Sequence, residues 1–149
     1  MKLLKGITGF DTESTFDLTQ LNAVLSNITQ PYLKQGELKK PNESSNFYQQ
    51  KIKDERTKKE FYLIANSTYF IFACVENSRC FDLRFIDFPI DLITQLKATV
   101  NSDLVVLNRK EALENVETSD LKDLAESELK QINYWKSKTV GEIIFNCYD

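Results

Sequence analysis

Residues 111–128 hold seven carboxylates, Glu111, Glu114, Glu117, Asp120, Asp123, Glu126 and Glu128, against a single lysine, Lys122, a local charge of −6. Carboxylates at this density can do three kinds of chemistry. Paired, they serve as general acid and base. Gathered on a tight loop, they ligate hard divalent cations. Spread over one surface, they draw in a cationic partner quickly and with strong salt dependence. No DxDxDG loop is present, so an EF-hand is excluded. Nothing pairs two of these acids beside a strand end. Spacings of three run through Glu114, Glu117, Asp120 and Asp123, and a continuous helix would set them along a slowly rotating stripe. The plainer reading is a solvated acidic face that complements a helix dipole. The functional reading is a docking surface of Glu111, Glu114, Glu117, Asp120, Asp123 and Glu126.

The 149 residues contain no histidine. That excludes Ser-His-Asp and Cys-His nucleophile systems, His-ligated metal sites and a histidine general base. Catalysis would have to rest on carboxylates, lysine or tyrosine, so composition favours a binding protein over an enzyme. No GxxxxGK[ST] or GxGxxG motif occurs, so no nucleotide-binding loop is read here. No cofactor and no small-molecule ligand are expected. The stretch 34–60 is basic, with eight Lys and Arg against five Asp and Glu, and contains Phe47 and Tyr48. Aromatics among cations can clasp single-stranded nucleic acid. A net charge of −3 and a pI near 5.1 argue against such a grip and leave a solvated loop and edge strand.

Length, 42% hydrophobic and 28% charged residues suit one globular domain over 1–149. The three cysteines, Cys74, Cys80 and Cys147, form no CxxC pair. Cys74 and Cys80 flank a turn at Asn77-Ser78 and would face each other across a hairpin. The expectation is reduced, half-buried thiols. Residues 1–6 lack the apolar core of a signal peptide, and no apolar run approaches the roughly 20 residues of a membrane span. A cytoplasmic protein without membrane contact is expected.

These residues must be positioned by elements that the patterning marks. Residues 2–10 read as a short strand closed by Gly6 and Gly9. Asp17 caps a helix with Leu18, Leu21, Val24, Leu25 and Ile28 on one stripe, ended by Pro31 or Gly36. Residues 41–46 are loop chemistry, and 47–53 an edge strand whose lysines deter edge pairing. The strongest β signal spans 61–87. Residues 61–65 and 68–75 are strands, the second apolar on both faces and so central. Residues 76–79 turn the chain. In 80–87, Phe81, Leu83 and Phe85 alternate with Asp82 and Arg84. Pro89 opens a helix with Ile90, Ile93, Leu96 and Val100 on its stripe. Residues 104–107 form a buried strand. Thr118 or Ser119 caps a helix lined by Leu121, Leu124, Ala125, Leu129, Ile132 and Trp135. Residues 140–149 are a strand or a docked apolar tail. The fold class is α+β: an antiparallel sheet centred on residues 61–87, with helices packed mainly on one side.

The ending, Thr139-Val140-Gly141-Glu142-Ile143-Ile144-Phe145-Asn146-Cys147-Tyr148-Asp149, resembles the GxxIFNxWD-like terminus of small bacterial immunity proteins. These accompany polymorphic toxins, including those of contact-dependent growth inhibition. The opening ten residues and the position of Trp135 are similar to the same family. The resemblance implies a cytoplasmic protein without catalytic residues, which binds a cognate toxin domain one-to-one and blocks it. Such toxins are often nucleases with basic clefts. Val140, Ile143, Ile144 and Phe145 of the ending are expected to serve the fold. The rival class is a small nucleic-acid-binding protein, a metal-dependent carboxylate enzyme or an accessory subunit. It would use the acids of 111–128 or the lysines of 34–60.

Overall fold

Strands that are apolar on both faces need a cover on each, and this requirement sets the layering. The computed structural model describes residues 1–10, 17–42, 45–98 and 104–148. Glu43, Ser44, Val100 and Asp149 of the expectations above lie outside the described residues. Five antiparallel strands follow in chain order: β1 (Tyr32–Lys39), β2 (Phe47–Asp54), β3 (Glu60–Asn66), β4 (Ile71–Arg79) and β5 (Asp82–Ile86). A two-residue strand, β6 (Val105–Val106), runs parallel to the start of β4, with Ile71 opposite Val105.

Side chains alternate across this sheet, as a pleated strand requires. Leu63 and Phe61 of β3 and Phe72 and Cys74 of β4 face one core, with Ile52 of β2. That core is covered by α1 (Leu18–Leu25) and α2 (Ile90–Leu96), through Leu21, Val24, Leu25, Leu92 and Leu96. Ile64, Ile71, Ala73 and Val75 face the opposite core, with Phe47 and Phe85. Its cover is α3 (Arg109–Ala112), α4 (Glu126–Trp135) and α5 (Val140–Ile144), together with Leu3, Ile7 and Phe145. The antiparallel α+β expectation therefore holds, but its helices divide between two faces. The apolar residues on both sides of β3 and β4 demand that division.

Local chemistry explains the other departures. The opening residues are not a strand. Glu128 is buried, pairs with no cation among the described residues, and is satisfied by donors from that segment. The amides of Gly6 and Thr8 and the Thr8 hydroxyl donate to its carboxylate at 2.7–3.1 Å. These bonds curl residues 4–9 into turns, with Gly6 and Gly9 at positive φ. A fourth donor, the Ala125 amide at 2.9 Å, makes Glu128 part of the capping box that starts α4. The long helix expected from Thr118 is thus broken. A 3-10 turn covers Thr118–Leu121, and α4 begins anew at Glu126.

The polar stretch after Pro31 contains β1, whose register with β2 shifts between Gln35 and Lys39, around Gly36 at φ +71°. Residues 140–144 are helical, capped by Thr139 with Glu142, and only the residues after them form a docked tail. At Gly141 a Cβ would lie 2.7 Å from the Phe85 ring and 2.9 Å from the Ala112 carbonyl oxygen. That contact presses α5 against β5 and α3.

Near the other end of the sheet, Arg56 ties the β2–β3 turn to α2. Its guanidinium donates to both carboxylate oxygens of Asp54 at 3.1 and 3.2 Å, pairs with Asp91 at 2.9 Å and reaches the Tyr32 hydroxyl. Tyr32 in turn donates to Asp91. The Arg56 hydrogen bond holds Asp54 below the usual carboxylate range, and the Tyr32 hydroxyl does most of the same for Asp91. Carboxylates depressed in the folded state add stability above their unfolded pKa, near 4, and lose it as pH falls through the folded values.

Two outcomes are expected. Glu128→Gln sets an amide N–H₂ against N–H donors and should cost about 2–3 kcal/mol in urea unfolding, whereas Glu126→Gln on the surface should change stability by under about 0.5 kcal/mol. Arg56→Gln should lower the urea midpoint at pH 7, and its gap from the parent should close below about pH 4.

Candidate functional site

β4 runs on through Asn77 and Ser78 to Arg79, and the hairpin turns at Cys80 and Phe81. Cys74 therefore lies within β4 and Cys80 in the turn that follows it, and the two do not face each other across the hairpin. Cys80 is instead bonded to Cys147 in the tail, across 67 residues, while Cys74 is a buried free thiol whose burial pushes its pKa up.

The turn places Phe81 in an unusual position. Its φ is +62°, and it is 63% exposed. The left-handed region costs a residue with a Cβ about 1 kcal/mol, which is why glycine or asparagine usually occupies it. The Phe81 ring stacks on Trp135 at the end of α4, with centroids 4.8 Å apart and planes 27° from parallel. Tyr134, 73% exposed, meets Trp135 edge-on at 5.1 Å. The Trp135 indole N–H donates to Gln131 at 3.0 Å, which fixes the ring's rotation about its helix. After Trp135 the helix stops on Lys136 at φ +56°. Two of the three non-glycine residues with positive φ among the described residues thus flank one aromatic platform. Backbone strain of this kind concentrates where a protein binds or reacts.

Beside the platform, Phe81, Leu83, Trp135, Cys147 and Tyr148 line a cleft of about 300 Å³. Tyr148 shares a 2.6 Å hydrogen bond with Ser137, and burial pushes its hydroxyl up to about 12, so it stays protonated in the physiological range. Asp82 and Glu142 bring carboxylates to the cleft and Lys136 an ammonium. Glu142 accepts from the Lys138 and Thr139 amides and so caps α5.

The six acids singled out above do not form one stripe, because the helix that would align them is interrupted. Glu111 is occupied in the capping box of α3, accepting from the Asn108 amide at 3.2 Å. Asp120 accepts from the Glu117 amide and pairs with the Met1 amino group at 3.5 Å. Asp123 pairs with Lys2 at 2.9 Å, and Glu126 with Lys130 at 3.9 Å. Glu114 and Glu117 are exposed on the connection between α3 and the 3-10 turn. The Glu114 carbonyl accepts from the Val140 amide at 3.0 Å, which holds this connection against α5. Cations from the first two residues thus temper the acidic run, a pairing that local counting misses. Among the described residues, no group of three or more His, Cys, Asp or Glu side chains is placed to hold a metal ion. No helix among them is long and apolar enough to cross a membrane.

No protein-family model, curated protein or solved structure matches the chain.

Trp135, expected on the inner face of its helix, is partly buried and packs against the core, whereas Phe81, expected on a half-buried strand face, is exposed, as is Tyr134, which the patterning does not single out. One signal was available: consecutive residues on a helix point about 100° apart, so Tyr134 and Trp135 cannot both face the core. The conformation of Phe81 had no such signal. Phe81→Gly should relieve the left-handed strain while losing the stack. The two effects are of similar size, so unfolding stability should stay within about 1 kcal/mol of the parent. Emission from Trp135, the only tryptophan, should nevertheless shift. A loss of about 3 kcal/mol or more would instead mark Phe81 as an ordinary core residue.

Proposed function

We propose that the chain is an immunity protein. It binds the toxin domain of a cognate effector one-to-one in the cytoplasm and blocks it stoichiometrically, without turnover. The observation that carries this reading is Phe81, held in a strained turn, exposed, and stacked on Trp135 beside Tyr134. Aromatic anchors dominate the energetics of protein interfaces, and a ring fixed before contact loses little entropy on binding. The terminal resemblance and the absence of histidine point the same way. Exposed Glu114 and Glu117 suit a basic surface such as a nuclease cleft, where carboxylates take the place of phosphates. The ending itself acts from inside the fold: Val140, Ile143, Ile144 and Phe145 are 0–2% exposed.

The test is whether the gene immediately upstream encodes a large effector and whether the C-terminal domain of that effector binds this chain. One-to-one association, followed by calorimetry and by titration of toxin activity to zero at equimolar protein, is expected. Phe81→Ala should chiefly speed dissociation, by roughly tenfold. Glu114→Lys combined with Glu117→Lys should slow association by about tenfold at low salt, with the difference shrinking as salt rises. Turnover of a substrate by the isolated chain, lost on substitution of its own carboxylates, would overturn the reading.

A further inference from the structure

We propose that the Cys80–Cys147 disulfide is a reversible clasp, whose reduction releases Phe81 from the aromatic platform without unfolding the protein. The two halves of the clasp depend on it very differently. The tail carrying Cys147 is held by other means. Phe145 is buried, and the Asn146 side chain donates to the carbonyls of Thr8 at 3.0 Å and Ile143 at 2.8 Å. The Asn146 amide donates to Asn46 at 2.8 Å, and Tyr148 bonds Ser137. The hairpin tip carrying Cys80 has far less. The β4–β5 ladder shifts register between Val75 and Ser78, and only the pairs Ser78–Leu83 and Arg79–Asp82 remain before the turn. Residues 79–82 are all exposed. Beyond those two pairs, the disulfide and the Phe81–Trp135 stack bring the tip to the body of the fold. Phe81 is next to the disulfide in sequence and sits in a backbone conformation that relaxes when the tip is let go.

The exchange is confined to this pair. A dithiol reductant attacks one sulfur, passes through a mixed disulfide and leaves as its own cyclic disulfide. Two electrons and two protons convert the clasp to two thiols. Cys74, fully buried in the opposite core, is out of reach as a competing nucleophile. The regulatory consequence rests on the function proposed above. In a reducing cytoplasm a disulfide is usually transient or redox-sensing, so glutathione poise would set how firmly the binding ring is presented. The clasp itself is independent of the partner's identity and is tested on the chain alone.

The protein is treated with dithiothreitol, and thiols are counted by alkylation and mass spectrometry. Far-UV circular dichroism, Trp135 emission and hydrogen exchange are read on the same samples. Expected are two new alkylated cysteines, Cys80 and Cys147, with Cys74 protected and the dichroism unchanged. Trp135 emission should shift, and exchange at residues 79–83 should accelerate by at least about tenfold while residues 61–75 keep their protection. Cys80→Ser combined with Cys147→Ser should reproduce the reduced state without reductant. Unchanged emission and exchange after verified reduction would overturn the proposal. So would loss of the dichroism with labelling of Cys74, because the bond would then be a staple of the whole fold. If the clasp behaves as expected but the upstream toxin domain does not bind, the functional reading fails and the clasp stands.

Discussion

Three buried asparagine amides hold the chain's two ends to its sheet, and the rest of the structure depends on them. Asn46 lies just before β2, Asn66 ends β3, and Asn146 is in the tail. Asn66 Nδ2 donates to the carbonyls of Ile7 at 2.8 Å and Ile144 at 2.7 Å. Asn46 Nδ2 reaches the same two carbonyls and that of Thr8. Asn146 Nδ2 donates to Thr8 and Ile143. Irregular segments cannot bury their carbonyls without donors, and here side-chain amides supply what a sheet neighbour would. The other end of each amide is used too: Asn66 Oδ1 accepts from the Thr68 and Tyr69 amides, Asn46 Oδ1 from the Asn146 amide. A short-stemmed amide offers two N–H donors and a separate carbonyl acceptor at once, which a hydroxyl does not. An aspartate at any of the three would turn a carboxylate towards main-chain carbonyls.

This network carries mechanical consequences outward to the exposed site. Because Asn146 is fixed, Cys147 and Tyr148 are fixed, and they form one wall of the cleft under Phe81. Because Ile7 and Thr8 are fixed, the Gly6 and Thr8 amides are aimed at Glu128, and Glu128 sets where α4 begins. From there α4 runs to Trp135, its last residue, where Lys136 at positive φ stops it. The two members of the aromatic stack thus reach their positions by separate routes from one buried polar centre.

What the sequence made legible follows from which interactions are local. The alternation of Leu83 and Phe85, the cap at Asp17 and a short strand within 104–107 depend on neighbours in the chain, and the pattern shows them. The two-sided apolar character of residues 68–75 was also legible, and taken to its end it implies helices on both faces. Glu128 reads as one of the surface acids, because all its donors but the Ala125 amide lie about 120 residues away and nothing near it in sequence distinguishes it from Glu126. β1 is read as loop because a strand with polar residues, lysines and a glycine bulge has little apolar pattern to display. The disulfide partner of Cys80 is set by the tail's docking, which no spacing rule encodes. The candidate site was legible only in part: its acids by composition, its aromatics by type but not by exposure.

On the proposed reading, the acids and the aromatics have different work to do. Coulombic attraction acts over a Debye length, before surfaces meet, and changes chiefly the rate of encounter. Asp120 and Asp123 give part of their field to the Met1 amino group and Lys2, so Glu114 and Glu117, exposed on the outer connection, contribute more to steering. Once contact is made, exposed charges in high dielectric hold little. Residence time then falls to desolvated apolar surface, and the large exposed rings beside the cleft are Phe81 and Tyr134, braced by Trp135. A ring held in a left-handed turn has given up its freedom during folding, so less remains to be lost when a partner closes over it. Strain at Phe81 is therefore a cost to stability that the interface recovers.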